Sequence, residues 1–298
     1  MRTVHPLLAL GTAVIAALGV TACNNDGGTA PATPLLSQVQ AESLAKTVVA
    51  DVAGEISTAT MDGSSGAAMA PSSASAPVTP SSPSQCIPTE SPTPVADADQ
   101  DGVPDSVRFD YSGCVISYPL AIDSVSGTID LLDPTKLMAD HAVERVFTDF
   151  KRVTVNLVSG AKTSVTENGT RMASHDGTTL RSSETNFRTD YVYANGGTAE
   201  HVRTWESIFT ADVAGSIMPN TLLPSGSWSV NGTSSWTRAH SSYSLTVTTN
   251  PPLHYNATCT AAPRFDAGKI TAVVVRGSQT MTVTIEFTAC GVYAVTRS

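Results

Sequence analysis

The chain has 298 residues, with 17 basic against 26 acidic side chains and a formal net charge of −9. Hydrophobic residues make up 41% and charged residues 14%, enough apolar material for a packed core and too little charge for a disordered polyelectrolyte. The acidic balance argues against nucleic acid as a partner, because that surface needs clustered Lys and Arg.

At the amino terminus Met1 and Arg2 precede an apolar run from Leu7 to Val20. The run falls short of the ~20 residues that cross a bilayer, so residues 1–22 read as a signal peptide. It ends in Val20-Thr21-Ala22-Cys23, a branched apolar residue three before a cysteine with small residues between. That tetrapeptide resembles the lipobox of bacterial lipoproteins. The resemblance implies diacylation of the Cys23 thiol, cleavage after Ala22, acylation of the new amine, and hence a membrane as partner. Each buried acyl methylene adds about 0.8 kcal/mol, so several chains, palmitate among them, make a stable anchor. Asn24 follows where an aspartate would favour the inner membrane, so the resemblance implies the outer membrane, facing the periplasm or the cell surface. An ordinary secretory signal with a chance cysteine is the alternative. Removing Arg2 with the leader leaves 16 basic against 26 acidic side chains and a net charge of −10.

Residues 23–35 are small and polar, which suits a flexible lipidated tether. Ser37 and Gln40 then have capping-box spacing, and Ala41, Leu44, Ala45, Val48, Val49, Val52 and Ile56 recur at threes and fours. The spacing predicts an amphipathic helix over 36–58, with Glu42, Lys46, Asp51 and Glu55 outside the stripe. Ser, Pro, Ala and Thr dominate 59–96, as in PSSASAPVTPSSPS, and predict an extended or disordered linker.

Residues 97–298 are expected to form a calcium loop and a β domain. DADQDGVPD, residues 97–105, places acids at positions one, three, five and nine and a glycine at six. Oxygen ligands at that spacing wrap a calcium ion: carboxylates from Asp97, Asp99 and Asp101, the Val103 carbonyl, and Asp105 directly or through water. The Gly-Val-Pro-Asp ending resembles the calcium repeats of thrombospondin type 3. The motif departs from that family in having Arg108 at position twelve and in occurring once; Asp110 is a candidate for the missing oxygen. The alternative is an acidic, hydrated turn without metal. The role expected of the ion is structural, fixing the entry to the first strand.

After Asp105 the texture is β. MTVTIEF alternates Met281, Val283, Ile285 and Phe287 against threonines and Glu286, and SYSLTVT alternates through Tyr243, Leu245 and Val247. Turn dipeptides stand at Asn168-Gly169, Asp176-Gly177, Asn195-Gly196, Asn231-Gly232 and Arg276-Gly277. The pattern predicts a mainly β protein: one antiparallel meander of about ten strands from Val107 to Thr296, curled into an open or closed barrel, with the amino-terminal helix on its open face. Cys86, Cys114, Cys259 and Cys290 are even in number in an exported chain, which argues for two disulfides and against a zinc or thiol redox site. Three pairings are possible; neighbours in sequence, Cys86–Cys114 and Cys259–Cys290, close the shortest loops.

No nucleophile elbow, zinc-protease or phosphate-loop motif occurs in the sequence. Asp140-His141, Glu144 and His175-Asp176 are the residues an acid-base mechanism could draw on. The expectation is an outer-membrane lipoprotein that acts as a non-enzymatic envelope binding or structural module, with an envelope protein as possible partner. The alternative is a carrier or sensor of an apolar ligand held in the curled sheet, with a hydrolytic enzyme third. The interior decides: Trp205, Trp228, Trp236, Phe147, Phe150, Phe187 and Phe209 either line a cavity or plug it.

Overall fold

A computed structural model describes residues 36–64, 86–136, 141–218, 221–238 and 241–298. The expected signal peptide, Cys23, the tether through residue 35, and residues 65–85 of the expected linker lie outside the described residues.

The described residues form one helix, α1 (Gln38–Ser64), and thirteen strands. These are β1 (Thr89–Ser91), β2 (Ser106–Ser117), β3 (Ala121–Leu132), β4 (His141–Asn156), β5 (Lys162–His175), β6 (Thr179–Val192), β7 (Thr198–Ala211), β8 (Gly226–Arg238), β9 (Ser241–Thr249), β10 (Leu253–Tyr255), β11 (Phe265–Arg276), β12 (Gln279–Ala289) and β13 (Val292–Arg297). They make a single antiparallel sheet in meander order, the mainly β architecture expected from the alternation. β8 pairs along one edge with both β9 and β10, and β11 pairs with both on its facing edge. β9 and β10 are therefore two halves of one strand, interrupted at Asn250-Pro251-Pro252, where prolines have no N–H to give a ladder.

The sheet curls where a line of bulges crosses it. Register shifts fall at Tyr111/Cys114, Ser126/Thr128, Phe147/Phe150, Asn168/Thr170 and Glu184/Phe187, in consecutive strand pairs from β2 to β7. Each bulge bends its strand and adds twist, so aligned bulges bend the whole sheet. Two of the five turn dipeptides belong to this machinery or to close strand packing, not to turns. Asn168-Gly169 lies inside β5, where the Asn168 side-chain oxygen accepts the N–H of Asp149, itself at a left-handed φ of 47°. Asn231-Gly232 lies inside β8, where a Cβ on Gly232 would fall 2.3 Å from the Thr204 carbonyl oxygen. The other three dipeptides do join strands: β5 to β6, β6 to β7, and β11 to β12.

α1 lies in the curl, against β4–β6 on one side and β12–β13 on the other. It opens with the predicted capping box: Ser37 N–H donates to Gln40 Oε1 at 2.8 Å, and Gln40 N–H donates to Ser37 Oγ at 3.3 Å. Gln38 Nε2 donates to the Val295 carbonyl, and Arg297 Nη1 to the Leu36 carbonyl, pinning this end to β13. Ala41, Ala45, Val48, Val49 and Val52 are buried against Trp205, Leu245, Val247, Val283 and Ile285 of the sheet. Full burial of each valine contributes about 1.5–3 kcal/mol. The helix continues to Ser64, past the predicted end at 58, and β1 forms within the predicted linker. Disulfides join Cys86 to Cys114 and Cys259 to Cys290, the neighbour pairing.

One expectation about α1 is wrong. Glu55 is buried and Asp51 half-buried, whereas the spacing leaves both outside the apolar stripe. At 3.6 residues per turn Glu55 stands about 20° from Val48, in the middle of the buried face. It faces an interior that is itself charged. An inward row of the sheet runs Arg145, Arg171, Glu184, Trp205, Gly232, Val247, so the helix meets polar groups at one end of the row and aliphatic ones at the other. Burial raises Asp51 to about 6 and Glu55 to about 7, with Glu184 adding to both shifts and Arg203 opposing them.

The sign of the resulting pH dependence follows. Unfolded carboxyls lose their protons near pH 4, whereas these two keep theirs in the folded protein until about pH 6 and 7. The folded state binds the extra protons, so the helix docks best on the acidic side and loses stability as pH rises through that window. Amide exchange over residues 41–55, corrected for intrinsic rates, should be slower at pH 5 than at pH 8. Asp51→Asn combined with Glu55→Gln should abolish the difference; a difference that survives the double variant would assign it to other groups.

Candidate functional site

The nine-residue acidic stretch folds as a compact loop ahead of β2. Asp97 Oδ1 accepts the Gln100 N–H at 2.7 Å and its Oδ2 the Gly102 N–H at 3.2 Å. Asp99 Oδ1 accepts from Asp101 N–H, and Asp101 Oδ1 from Val103 N–H. Asp105 closes the base, its Oδ1 accepting the Ala98 N–H at 2.8 Å. Gly102 has a φ of 90°, the left-handed backbone that makes the sharp turn possible. The loop is fastened by Val103, whose buried side chain packs with Val107, Leu131, Val143 and Ala173 of β2, β3, β4 and β5.

Oxygens of Asp97, Asp99 and Asp101 come within 4.8 Å of one another. Both oxygens of Asp97 and one each of Asp99 and Asp101 serve the loop's own backbone, yet Asp99 Oδ2 and Asp101 Oδ2 are buried with no hydrogen-bond partner. Burial raises the Asp101 carboxyl, and the charges of Asp99 and Asp133 push it the same way. Orphaned carboxylate oxygens carry a desolvation cost that a cation would offset, and an all-oxygen donor set fits a hard ion such as calcium. Asp110 is not among them: it sits in β2 opposite Thr128, where its charge acts on Arg108. Asp133, at the end of β3, was missed by the sequence reading, and no spacing rule could have linked it to a loop 28 residues earlier.

The second concentration of charge is the arginine row under α1. Glu184 is 1% exposed, with Arg171 Nε 2.8 Å from Oε1 and Arg203 Nε 2.8 Å from Oε2. The Arg171 guanidinium also lies 3.9 Å from the centroid of the Phe187 ring, a cation–π contact. Buried beside Arg171, Arg145 has its pKa lowered to about 10. His201 stacks on Trp236 with centroids 4.0 Å apart, and burial lowers it to about 3, which keeps it neutral. These contacts hold the inner face of β4–β8 together.

Among the described residues the acid-base grouping does not assemble; Asp140 lies outside them. His141 and His175 stack with ring centroids 4.7 Å apart, but Glu144 falls on the opposite face of β4 and Asp176 accepts the N–H groups of Thr178 and Thr179. His254, not singled out from the sequence, bridges two acids, 2.7 Å from Asp266 and 3.2 Å from Asp212. The aromatics act as plugs: Phe187, Phe209, Trp228, Trp205, Trp236 and Phe147 are buried. Phe150 instead borders a cavity of about 300 Å³ whose wall also carries Val125, Val165, Asp123, Arg152 and Glu167.

No family model, characterised protein or solved structure matches the chain.

Glu184 anchors the two arginines, so Glu184→Gln strips them of their nearest counter-ion and leaves Arg171 only Glu167, at 3.7 Å. Loss of one partner of such a group costs about 3–5 kcal/mol. Urea unfolding should show that loss as a lowered midpoint with little change in slope. A loss below about 1 kcal/mol would mean the pair is no better than a surface ion pair.

Proposed function

We propose that the chain is a lipid-anchored protein of the bacterial envelope, held in the outer membrane through Cys23. Its β domain serves as a non-enzymatic binding or structural module whose entry to β2 is fixed by calcium. The observation that carries this reading is the filled curl: α1 and the buried aromatics occupy the space a carrier would keep for its cargo. The convex face of β12 offers Thr280, Thr282, Thr284 and Glu286, which suits a domain standing in water and not a barrel facing lipid.

The carrier or sensor alternative rests on the 300 Å³ cavity, and the cavity's chemistry works against an apolar cargo. Asp123 in its wall is buried and ion-paired to Arg152, with Glu167 close by. An apolar molecule entering there would desolvate charges without replacing their water.

Two measurements test the proposal. Cys23→Ser should abolish acylation and release the protein from the membrane fraction or stall it unprocessed, as read by acyl labelling and fractionation; membrane retention without acyl label would overturn the anchor. Calorimetry on the chelated protein should show uptake of one calcium ion, and Asp99→Ala should lose it. Undiminished binding by that variant would leave the loop an acidic turn.

A further inference from the structure

We propose that Asp133, at the end of β3, is a ligand of the calcium site and supplies the oxygen missing at the loop's twelfth position. The inference rests on the calcium reading of residues 97–105. Arg108 stands at position twelve and cannot ligate: its guanidinium turns away to make a two-pronged pair with Asp130, at 2.6 and 2.8 Å. The chain then brings up a carboxylate from elsewhere. The Asp133 N–H donates to the Asp105 carbonyl at 3.4 Å, so β3 ends against the base of the loop.

The side chain of Asp133 is built to present one oxygen. Its Oδ1 accepts the N–H of Thr135 at 2.7 Å and the hydroxyl of Thr135 at 3.0 Å, which fixes the carboxylate plane. Its Oδ2 has no partner, although the residue is only 5% exposed. Asp101 shows the same division: its Oδ1 is used, its Oδ2 is buried and free of hydrogen bonds, and its side chain is 4% exposed. Among the described residues the one basic group within ion-pair distance of this cluster is His141, whose Nδ1 lies 3.9 Å from Asp101 Oδ2, too long for a hydrogen bond. Orphaned, buried carboxylate oxygens with no cation at hand carry a desolvation cost that a bound ion would offset.

The function that follows is a staple. An ion bound by the loop alone would only stiffen it, whereas an ion shared with Asp133 ties the chain entering β2 to the end of β3. Val103 and Leu131 already pack together beneath that point, so metal and apolar contact hold the same junction.

Calcium titrations of the full mature chain, followed by calorimetry, separate the possibilities when wild type is compared with Asp99→Asn, Asp133→Asn and Asp110→Asn. Losing even an outer partner of a metal costs about 10–100-fold in affinity, so losing Asp133 should weaken binding by at least about tenfold. Asp110→Asn should bind as wild type. If Asp99→Asn weakens binding and Asp133→Asn does not, the inference fails while the loop reading stands. If neither weakens it, the loop reading fails first. Asparagine keeps the Oδ1 that Thr135 uses, and equal melting temperatures of Asp133→Asn and wild type in chelator show that the variant folds. Where they differ, a crystal structure of the calcium-loaded wild type decides: an Asp133 oxygen at about 2.3–2.6 Å from the ion supports the staple, and a water in its place overturns it.

Discussion

A long antiparallel sheet has one face it cannot leave in water, and in this protein the cover for that face comes from the chain's own helix. Contiguous exposed apolar patches beyond a few hundred Å² are rare on soluble proteins. The aligned bulges across β2–β7 and the docking of α1 are two halves of one solution. The bulges curve the sheet until β4–β6 and β12–β13 both reach the helix, and the helix supplies Ala41, Ala45, Val48, Val49 and Val52 to the space enclosed. Without the curl the helix would lie on one part of the sheet only; without the helix the curl would surround a void.

Charge inside the curl gives this solution its direction. Arg145, Arg171 and Arg203 face inward around the carboxylate of Glu184, and α1 approaches with Asp51 and Glu55. A fully apolar helix face would slide along its sheet at little cost. One with two half-neutralised acids above a row of guanidiniums has a preferred position, because moving it strands buried charge. Burying ions costs more than burying methylenes, so this arrangement gives up stability and gains register, and it makes the docking sensitive to protons.

Much of the fold could be read in the chain because period-two alternation is local. Met281, Val283, Ile285 and Phe287 announce β12, and Ser37 with Gln40 announce the start of α1. The neighbour disulfides were also legible, since short loops close first. What resisted reading depends on partners distant in sequence. Asn168-Gly169 and Asn231-Gly232 have the composition of hairpin turns, but a bulge and a close-packed neighbouring strand use the same freedom. Glu55 looked solvent-facing because a carboxylate seldom belongs in a core, and only the arginines of β5 and β7 make it at home there. The loop of residues 97–105 was legible from its own spacing; the approach of Asp133, the ligand proposed above, was not, since it arrives through the pairing of β2 with β3.

The order of elements also changes what the Ser/Pro-rich stretch can do. A linker holds a domain away from a membrane only if it lies between the anchor and the domain. Here α1 precedes residues 65–85 and is already packed in the curl, so that stretch starts and ends on the same domain and closes a loop. The long connection therefore adds nothing to the reach of a tether at the amino terminus, and its closure costs little, because loop entropy grows only as the logarithm of length. With the anchor at Cys23 as proposed, the reach is set by residues 24–35 alone. Twelve residues span at most about 40 Å fully extended and about 20 Å as a flexible coil. The β domain then works close to the lipid surface, with the first turn of α1 and β13 at the tether's end. On that proposal a partner or ligand would be met within a few nanometres of the membrane, and not at the end of a long stalk.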